Sequence, residues 1–253
     1  MFIELIEDIA KMALIIASLY FALRAYVHRS QPAWSEPLEK RRFAILFMFV
    51  FAVSAIKVSE DVLGRESGPI DEAILLYIHN LVPSALTSVF EVVTLSGSSR
   101  VIFTLATVTT IVLLIAKRRF EALLLAASVI SGTIVVFVLK TVVGRTRPDL
   151  WDTEWYWGSS FPSGHTLVVA AFATAAALCV FRIWPAMRDI ALTVAILWIS
   201  LVALSRLVLG VHWPTDVLAA ACIGAFLSLA MNITLELREL RSSRPPAVAK
   251  LER

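Results

Sequence analysis

The sequence predicts an all-α protein, a polytopic bundle of transmembrane helices. Of its 253 residues, 58% are hydrophobic and only 17% are charged, whereas a soluble domain is roughly 45–50% apolar. The excess is concentrated in seven apolar runs, each near the roughly 20 residues that a helix needs to cross the hydrocarbon core of a bilayer. Because backbone polar groups cannot stay unpaired in lipid, these runs are predicted to be helices.

The seven predicted spans cover residues 9–27, 43–58, 101–116, 122–140, 166–181, 190–207 and 216–235. The first run follows Glu4, Glu7 and Asp8, where a secretory signal peptide has basic residues, so we interpret it as a span. Residues 71–93 mix polar and apolar side chains, which predicts an interfacial helix. The polar tail after Glu236 is predicted to be flexible.

The orientation of the bundle follows from the distribution of Lys and Arg among the loops. With seven spans, one side of the membrane receives 15 of the 23 basic residues: Arg24, Arg29, Lys40, Arg41, Arg42, Lys117, Arg118, Arg119, Arg182, Arg188, Arg238, Arg241, Arg244, Lys250 and Arg253. Cytoplasmic loops carry such an excess. We therefore expect the N-terminus outside and the C-terminus in the cytoplasm. The net charge of +3, without a single basic stripe, does not favour nucleic-acid binding.

Three short stretches, all on the outer side in this topology, carry residues suited to phosphate chemistry. They are residues 140–148 (Lys140, Arg147, Pro148), 161–165 (Pro162, Ser163, Gly164, His165) and 205–216 (Ser205, Arg206, His212, Asp216). Arg presents a fork that matches phosphate oxygens, and Lys supplies a point charge. The Pro-Ser-Gly sequence before an apolar run predicts a helix start, where free N–H groups favour an anion.

The two histidines of these stretches can supply a nucleophile and an acid. Asp216 follows His212 by four residues, so its carboxylate can fix the tautomer and leave the other ring nitrogen free to attack. This is the logic of a serine-protease triad with the imidazole itself as the nucleophile. His165 is then available to protonate the leaving oxygen.

These stretches resemble the three signature motifs of the type 2 phosphatidic acid phosphatase family, whose wider superfamily includes vanadium haloperoxidases. All eleven signature positions match: Lys140, Arg147, Pro148, Pro162, Ser163, Gly164, His165, Ser205, Arg206, His212 and Asp216. The resemblance implies a six-helix phosphatase core at 43–236, preceded by an additional transmembrane helix and cytoplasmic loop at 1–42 and followed by a cytoplasmic tail at 237–253.

The resemblance also implies a chemistry, in which a membrane lipid phosphate is hydrolysed without a cofactor or metal. His212 would form a phosphohistidine, Asp216 would support it, and His165 would protonate the departing alkoxide. The phosphate would be held by Lys140, Arg147, Ser163, Gly164 and Arg206. Candidate substrates are phosphatidic acid, phosphatidylglycerol phosphate, polyisoprenyl diphosphate and lipid A phosphates, and we expect a bacterial inner membrane with the site on its periplasmic or extracellular face.

The sequence does not assign a single role to every residue near the motifs. Arg145 either joins the phosphate site or has a supporting or solvent-exposed role. We interpret His79 as structural, and the aromatic residues Trp151, Trp155, Tyr156 and Trp157 as an interface belt. Alternatively, these aromatic residues line the entrance through which a lipid headgroup reaches the site.

Two other functions remain open at the level of sequence. A lipid phosphotransferase would use the same phosphohistidine with a hydroxyl acceptor in place of water. Seven spans also suit a transporter or receptor, although the sequence has no inverted repeat to favour one. A haloperoxidase has a similar site but is soluble, and the predicted spans argue against it.

Overall fold

The computed structural model describes residues 2–30, 41–151, 153 and 158–242, and this part of the chain consists of helices and their connections, without a β-strand. Its helices are α1 Phe2–Ser30, α2 Arg42–Leu63, α3 Gly68–Leu81, α4 Thr87–Ser96, α5 Ser99–Ile115, α6 Arg119–Val143, α7 Gly164–Ile183, α8 Arg188–Val208 and α9 Pro214–Ser242. The 3₁₀ turns Ser84–Leu86 and Pro185–Met187 precede α4 and α8. The all-α prediction is confirmed.

Five of the described helices are long and apolar enough to cross a membrane, namely α2, α6, α7, α8 and α9. Each contains one predicted span. The predicted span at 101–116 corresponds to α5, which has only 17 residues. The predicted first span lies inside α1, and its crossing of the bilayer stays a prediction. Large apolar side chains on the outer surface, such as Phe137 at 73% and Ile115 at 77% exposure, are typical of a protein surrounded by lipid.

The segment predicted as one interfacial helix at 71–93 is instead two helices, α3 and α4, bent by 91°. The break falls at Val82-Pro83, where Pro83 has no N–H group to continue the helical hydrogen bonds. The two arms count as a sixth span only if they cross the bilayer together.

Helix α7 is the most buried of the five candidate spans. Its fully buried Val169 packs with Ile102 of α5, Leu125 of α6 and Val202 of α8, which are also fully buried. Its other face is rich in alanine and lies against α9. Small residues allow helix backbones to approach closely, so α7 and α9 pack together along their length.

The crossing of α7 and α9 depends on Gly224. A methyl group at Gly224 would overlap the carbonyl oxygen of Leu167 and lie 2.7 Å from Cβ of Ala170. The close approach of the two backbones therefore leaves no room for a side chain at this position.

The polarity of the helices places the three motif stretches at one end of the bundle. The C-terminal ends of α6 and α8 and the N-terminal ends of α7 and α9 all lie there. Gly144 ends α6 in the left-handed conformation (φ 62°), which glycine adopts without strain.

The opposite end of the bundle is fastened by ion pairs among residues that we predicted to be cytoplasmic. Arg182 contacts Glu121 at 3.4 Å and Glu239 at 2.8 Å, and Arg41 contacts Glu236 at 2.8 Å. These pairs join α6, α7 and α9 to the beginning of α2.

Helix α1 packs against α2 and forms an ion pair with it. Lys57 of α2 lies 3.1 Å from Asp8 of α1 and 2.8 Å from Asp61. The predicted tail lies outside the described residues from position 243 onward.

We expect Gly224→Ala to destabilise the bundle, because the added methyl group forces α7 and α9 apart. Overpacking a close contact typically costs about 1–3 kcal/mol. The measurement is the unfolding temperature of the detergent-solubilised protein. Gly68→Ala is the matched control, since a Cβ at Gly68 meets nothing within 4 Å; equal unfolding temperatures for the two variants would contradict the packing described for Gly224.

Candidate active site

The N-terminus of α7 forms one wall of the site. Ser163 is the N-cap residue in extended conformation, and its Oγ accepts a hydrogen bond from the hydroxyl of Thr166 at 3.1 Å. Its backbone N–H donates to the carbonyl oxygen of Asp216 at 3.2 Å. This bond holds the starts of α7 and α9 side by side. The first N–H groups of α7 have no partner within the helix and so favour an anion.

The loop between α8 and α9 carries His212, whose side chain is almost fully buried. Arg206, at the end of α8, is only 1% exposed and donates from Nη1 to Oγ1 of Thr94 at 2.7 Å. The backbone turns at Gly210 with φ 66°, and a Cβ there would lie 2.7 Å from the indole ring of Trp151. The glycine therefore lets this loop pass directly beneath Trp151.

The imidazole of His212 faces the carboxylate of Asp216 on one side. Nδ1 lies 3.4 Å from Oδ2 of Asp216 and has no hydrogen bond of good geometry within the described structure. The same Oδ2 accepts the backbone N–H of Trp213 at 2.9 Å. The carboxylate is thus held in place by the loop, and the distance to Nδ1 is somewhat longer than a good hydrogen bond.

Burial is the main influence on the pKa of His212 and lowers it to about 4. The Asp216 carboxylate opposes this shift, and the nearby Arg206 and Arg147 guanidinium groups add to it. His212 is therefore neutral at neutral pH. A neutral imidazole has a free electron pair on one nitrogen, as a nucleophile requires.

The other ring nitrogen of His212 faces the predicted phosphate-binding cations. Nη1 of Arg147 lies 3.5 Å from Nε2 of His212 and donates to the carbonyl oxygen of Val211 at 2.7 Å. Lys140 donates from its ammonium group to the carbonyl oxygen of Ser159. A Cβ at Gly164 would lie 4.0 Å from Cε of Lys140, which places this lysine beside the start of α7.

His165 is the point at which the predicted residues converge. It lies within electrostatic range of Lys140, Arg147, Arg206 and His212. The structure therefore brings the predicted set together in one place: Lys140, Arg147, Ser163, Gly164, His165, Arg206, His212 and Asp216. Their roles stay predictions.

Arg145, whose role the sequence left open, binds the carboxylates of this end of the bundle. Its Nη1 donates to Oδ1 of Asp216 at 2.6 Å, and its Nη2 donates to Oδ2 of Asp71 at 2.6 Å. Nη1 also donates to Thr215, at 2.8 Å. The guanidinium is therefore occupied by a structural network, which favours the supporting role over direct phosphate binding.

Sequence reasoning missed Asp71 and Thr94, which the bent pair α3–α4 brings to the site. Asp71 is fully buried and contacts Arg145 and Thr215, and Thr94 accepts from Arg206. A weak signal for Asp71 was present, because it begins a segment of mixed polar and apolar residues, and an acidic side chain needs a partner if the fold buries it. The sequence contains no comparable indication for Thr94.

Trp151 stacks on His79 with ring centroids 4.0 Å apart. Together they line a cavity of about 570 Å³ between α3, α4 and the loop before α9, with Glu91 and Thr94 on its wall. The structural interpretation of His79 fits this contact. Residues 155–157 of the aromatic cluster lie outside the described structure.

Among the residues that the structure describes, no three His, Cys, Asp or Glu side chains are grouped so that they could hold a metal ion. The charged side chains nearest to His212 are instead guanidinium groups and the carboxylate of Asp216.

Two curated relatives are similar to part of the chain. Phosphatidylglycerophosphatase B of Escherichia coli K12 is 38% identical over 97 residues, which cover 38% of this chain and 36% of that protein. Lipid A 1-phosphatase of Rhizobium johnstonii is 33% identical over 116 residues, covering 42% of this chain and 44% of that protein. The chain thus matches less than half the length of either relative.

A solved structure extends the likeness to most of the helices. It is the transmembrane PAP2-type phosphatidylglycerolphosphate phosphatase from Bacillus subtilis, with a TM-score of 0.66 and 22% identity over 79% of this chain and 98% of that one. At 22% identity, this likeness shows that the two chains share a fold. Residues 121–239, which carry all three motif stretches, match the family model of the PAP2 superfamily.

Proposed function

We propose that this chain is an integral membrane lipid phosphatase that hydrolyses a phosphomonoester or diphosphate through a phosphohistidine on His212. The observation that carries the proposal is the position of the buried imidazole of His212 between the Asp216 carboxylate and the guanidinium of Arg147, which lies 3.5 Å from Nε2. The relatives named above are phosphatases of membrane lipids, which supports the same class of substrate.

The first step would bind the phosphate at the start of α7. Lys140, Arg147 and Arg206 supply positive charge, and Ser163 and Gly164 supply the helix N-terminus. Phosphoryl transfer needs little covalent chemistry from a protein beyond positioning and charge stabilisation. Arg147 and Arg206 lie near His212, and Lys140 lies near His165; these cations are suited to the charge that develops on the equatorial oxygens.

The second step would transfer the phosphoryl group to His212. The electron pair on Nε2 attacks phosphorus, and the bond between phosphorus and the lipid oxygen breaks. His165, which is protonated in the complex with the phosphate anion, gives its extra proton to that oxygen and becomes neutral. Asp216 stabilises the positive charge on the ring, as a triad carboxylate does. The lipid alcohol leaves with its new proton.

The third step would return the enzyme to its starting state. His165, now without its proton, accepts one from a water molecule, and the water oxygen attacks phosphorus as the bond to His212 breaks. A hydroxyl of a second lipid could replace this water, so the phosphotransferase remains the second candidate. His165 is only half-buried in the first turn of α7, so it is partly accessible to an acceptor.

We further propose the arrangement of the whole chain in the membrane. Residues 43–236 would form the phosphatase core, with 1–42 and 237–253 as additions at its two ends. The active site would face the periplasm or the exterior, because the ion-paired end with Arg182 and Arg41 carries the positive charge expected in the cytoplasm. A bacterial inner membrane is the proposed location.

His212→Ala is expected to reduce phosphate release by at least about 10³-fold, since no neighbouring side chain can replace the nucleophile. The assay measures phosphate release in detergent from a panel of phosphatidic acid, phosphatidylglycerol phosphate, polyisoprenyl diphosphate and lipid A. His28→Ala, at an exposed position on α1, is the matched control.

The intermediate itself can be trapped by quenching turnover of labelled lipid phosphate. We expect an acid-labile, base-stable phosphoryl group on the tryptic peptide 207–238, in which His212 is the only histidine. Label on the peptide 146–182, which carries His165, would mean that His165 is the nucleophile and His212 the acid. Full activity of His212→Ala would defeat the mechanism.

The mechanism also predicts the response to chelators and to vanadate. Activity should survive excess EDTA, because charge stabilisation is assigned to Lys140, Arg147 and Arg206. Orthovanadate should inhibit competitively, because it adopts the trigonal-bipyramidal geometry of the transition state and can bond to His212. Loss of activity in EDTA that only added magnesium restores would count against the proposal.

Topology can be tested by single-cysteine labelling in intact cells, after both native cysteines, Cys179 and Cys222, are replaced by alanine. Thr153→Cys should react with an impermeant thiol reagent, and Arg119→Cys should react only after the cells are opened. The reverse pattern would place the site on the cytoplasmic face.

A further inference from the structure

A carboxylate outside the three motif stretches lies at the centre of the hydrogen bonds around the start of α9. Asp71, on α3, is fully buried. Its Oδ1 accepts the backbone N–H of Thr215 at 2.9 Å, and its Oδ2 accepts the hydroxyl of Thr215 at 2.6 Å. Because Pro214 has no N–H, the N–H of Thr215 is the first that α9 presents. Asp71 therefore caps α9 from another helix, as a local N-cap residue usually does.

The same carboxylate shares a guanidinium with Asp216. Arg145 donates from Nη2 to Asp71 and from Nη1 to Asp216, both at 2.6 Å. Ser67, one residue before α3, accepts from Nη2 at 3.2 Å. Arg145 is thus bound on both sides of its fork, and only an arginine can bridge two carboxylates in this way.

From these contacts we infer that Asp71 is a positioning residue for the proposed nucleophile, acting through Arg145 and Thr215 on Asp216 and thereby on His212. The inference rests on the proposed function and extends the active site to α3. Asp71 does not touch the phosphate site. It fixes the carboxylate against which the imidazole of His212 is oriented.

The charge balance of the cluster explains why a carboxylate is needed at this position. Asp71 and Asp216 are negative and Arg145 is positive, so the cluster keeps one net negative charge facing His212. Without the charge of Asp71, Arg145 would be neutralised by Asp216 alone and would compete with His212 for it. The other titratable and charged groups that face this cluster are Arg147, Arg206 and His165 near His212 and Lys140 near Asp216. The cations among them also attract the Asp216 carboxylate, so they would add to the competition with His212.

Asp71→Asn tests the inference, because it keeps the shape of the side chain and removes its charge. We expect kcat to fall roughly 10- to 100-fold, as a small misplacement of a reacting group does, while KM stays within about twofold. Glu72→Gln is the matched control, since it removes one negative charge from an exposed neighbour on the same helix and should leave both constants unchanged.

A second variant decides the question if Asp71→Asn does not fold. Arg145→Lys keeps the positive charge, but one ammonium group cannot hold both carboxylates in the geometry of the fork. We expect the same loss in kcat with KM preserved. If the protein is folded and kcat is that of the wild type in either variant, or if KM alone rises, the inference is wrong.

A readout that does not require turnover separates this inference from the proposed function. The chain has four histidines, so the ¹⁵N resonances of labelled histidine in detergent can be assigned to His212 by their loss in His212→Ala. We expect one tautomer in the wild type, with the proton on Nδ1 towards Asp216, and a mixture of tautomers in Asp71→Asn.

The outcomes of the two readouts are distinct. If the wild type releases no phosphate from any lipid of the panel but the tautomer shifts in Asp71→Asn, the proposed function fails and the positioning role stands. If the wild type is active and the tautomer and kcat of Asp71→Asn are unchanged, the positioning role fails and the proposed function stands.

Discussion

The site depends on the close crossing of α7 and α9, which places two helix N-termini side by side. Gly224 allows the backbones to meet, and the N–H of Ser163 joins the carbonyl of Asp216 at the point where both helices begin. An anion at the start of α7 and a carboxylate at the start of α9 both benefit from the helix dipoles.

The charges at this junction are balanced by neighbours. Arg206 is held by Thr94, and Arg147 by the carbonyl of Val211. Asp216 is held by Arg145 and by the N–H of Trp213. A buried charge is tolerated when it is paired and hydrogen-bonded. These contacts fix the charged groups before any phosphate arrives, which is the condition for electrostatic stabilisation without rearrangement.

The motif residues could be identified from the sequence because their spacing along the chain reflects their role. His212 and Asp216 are neighbours across the start of one helix, and Ser163 and Gly164 begin another. The spans that contain them could also be predicted, because an apolar run of this length in lipid has few alternatives to a helix. The likeness to the PAP2 superfamily and the all-α architecture were therefore within reach of the sequence.

Contacts made between distant helices could not be read in the same way. Asp71 meets Thr215 across 144 positions of the chain, and Thr94 meets Arg206 across 112. Arg145 stayed ambiguous because its sequence position shows closeness to the motif but not the direction of its side chain. The break of residues 71–93 into two helices was missed for a related reason, since a proline at a helix end and a proline at a sharp bend give the same local signal.

The right-angled bend between α3 and α4 has a consequence for how the chain can vary in length. Connections between membrane spans are usually the places where residues are gained or lost without harm. Here one arm of the bend reaches the start of α9 through Asp71, and the other reaches the end of α8 through Thr94. Both contacts are fixed by a turn of only a few residues, Val82 to Leu86. An insertion in this turn would shift one arm relative to the other, so this connection should be as intolerant of length changes as the membrane-spanning helices themselves.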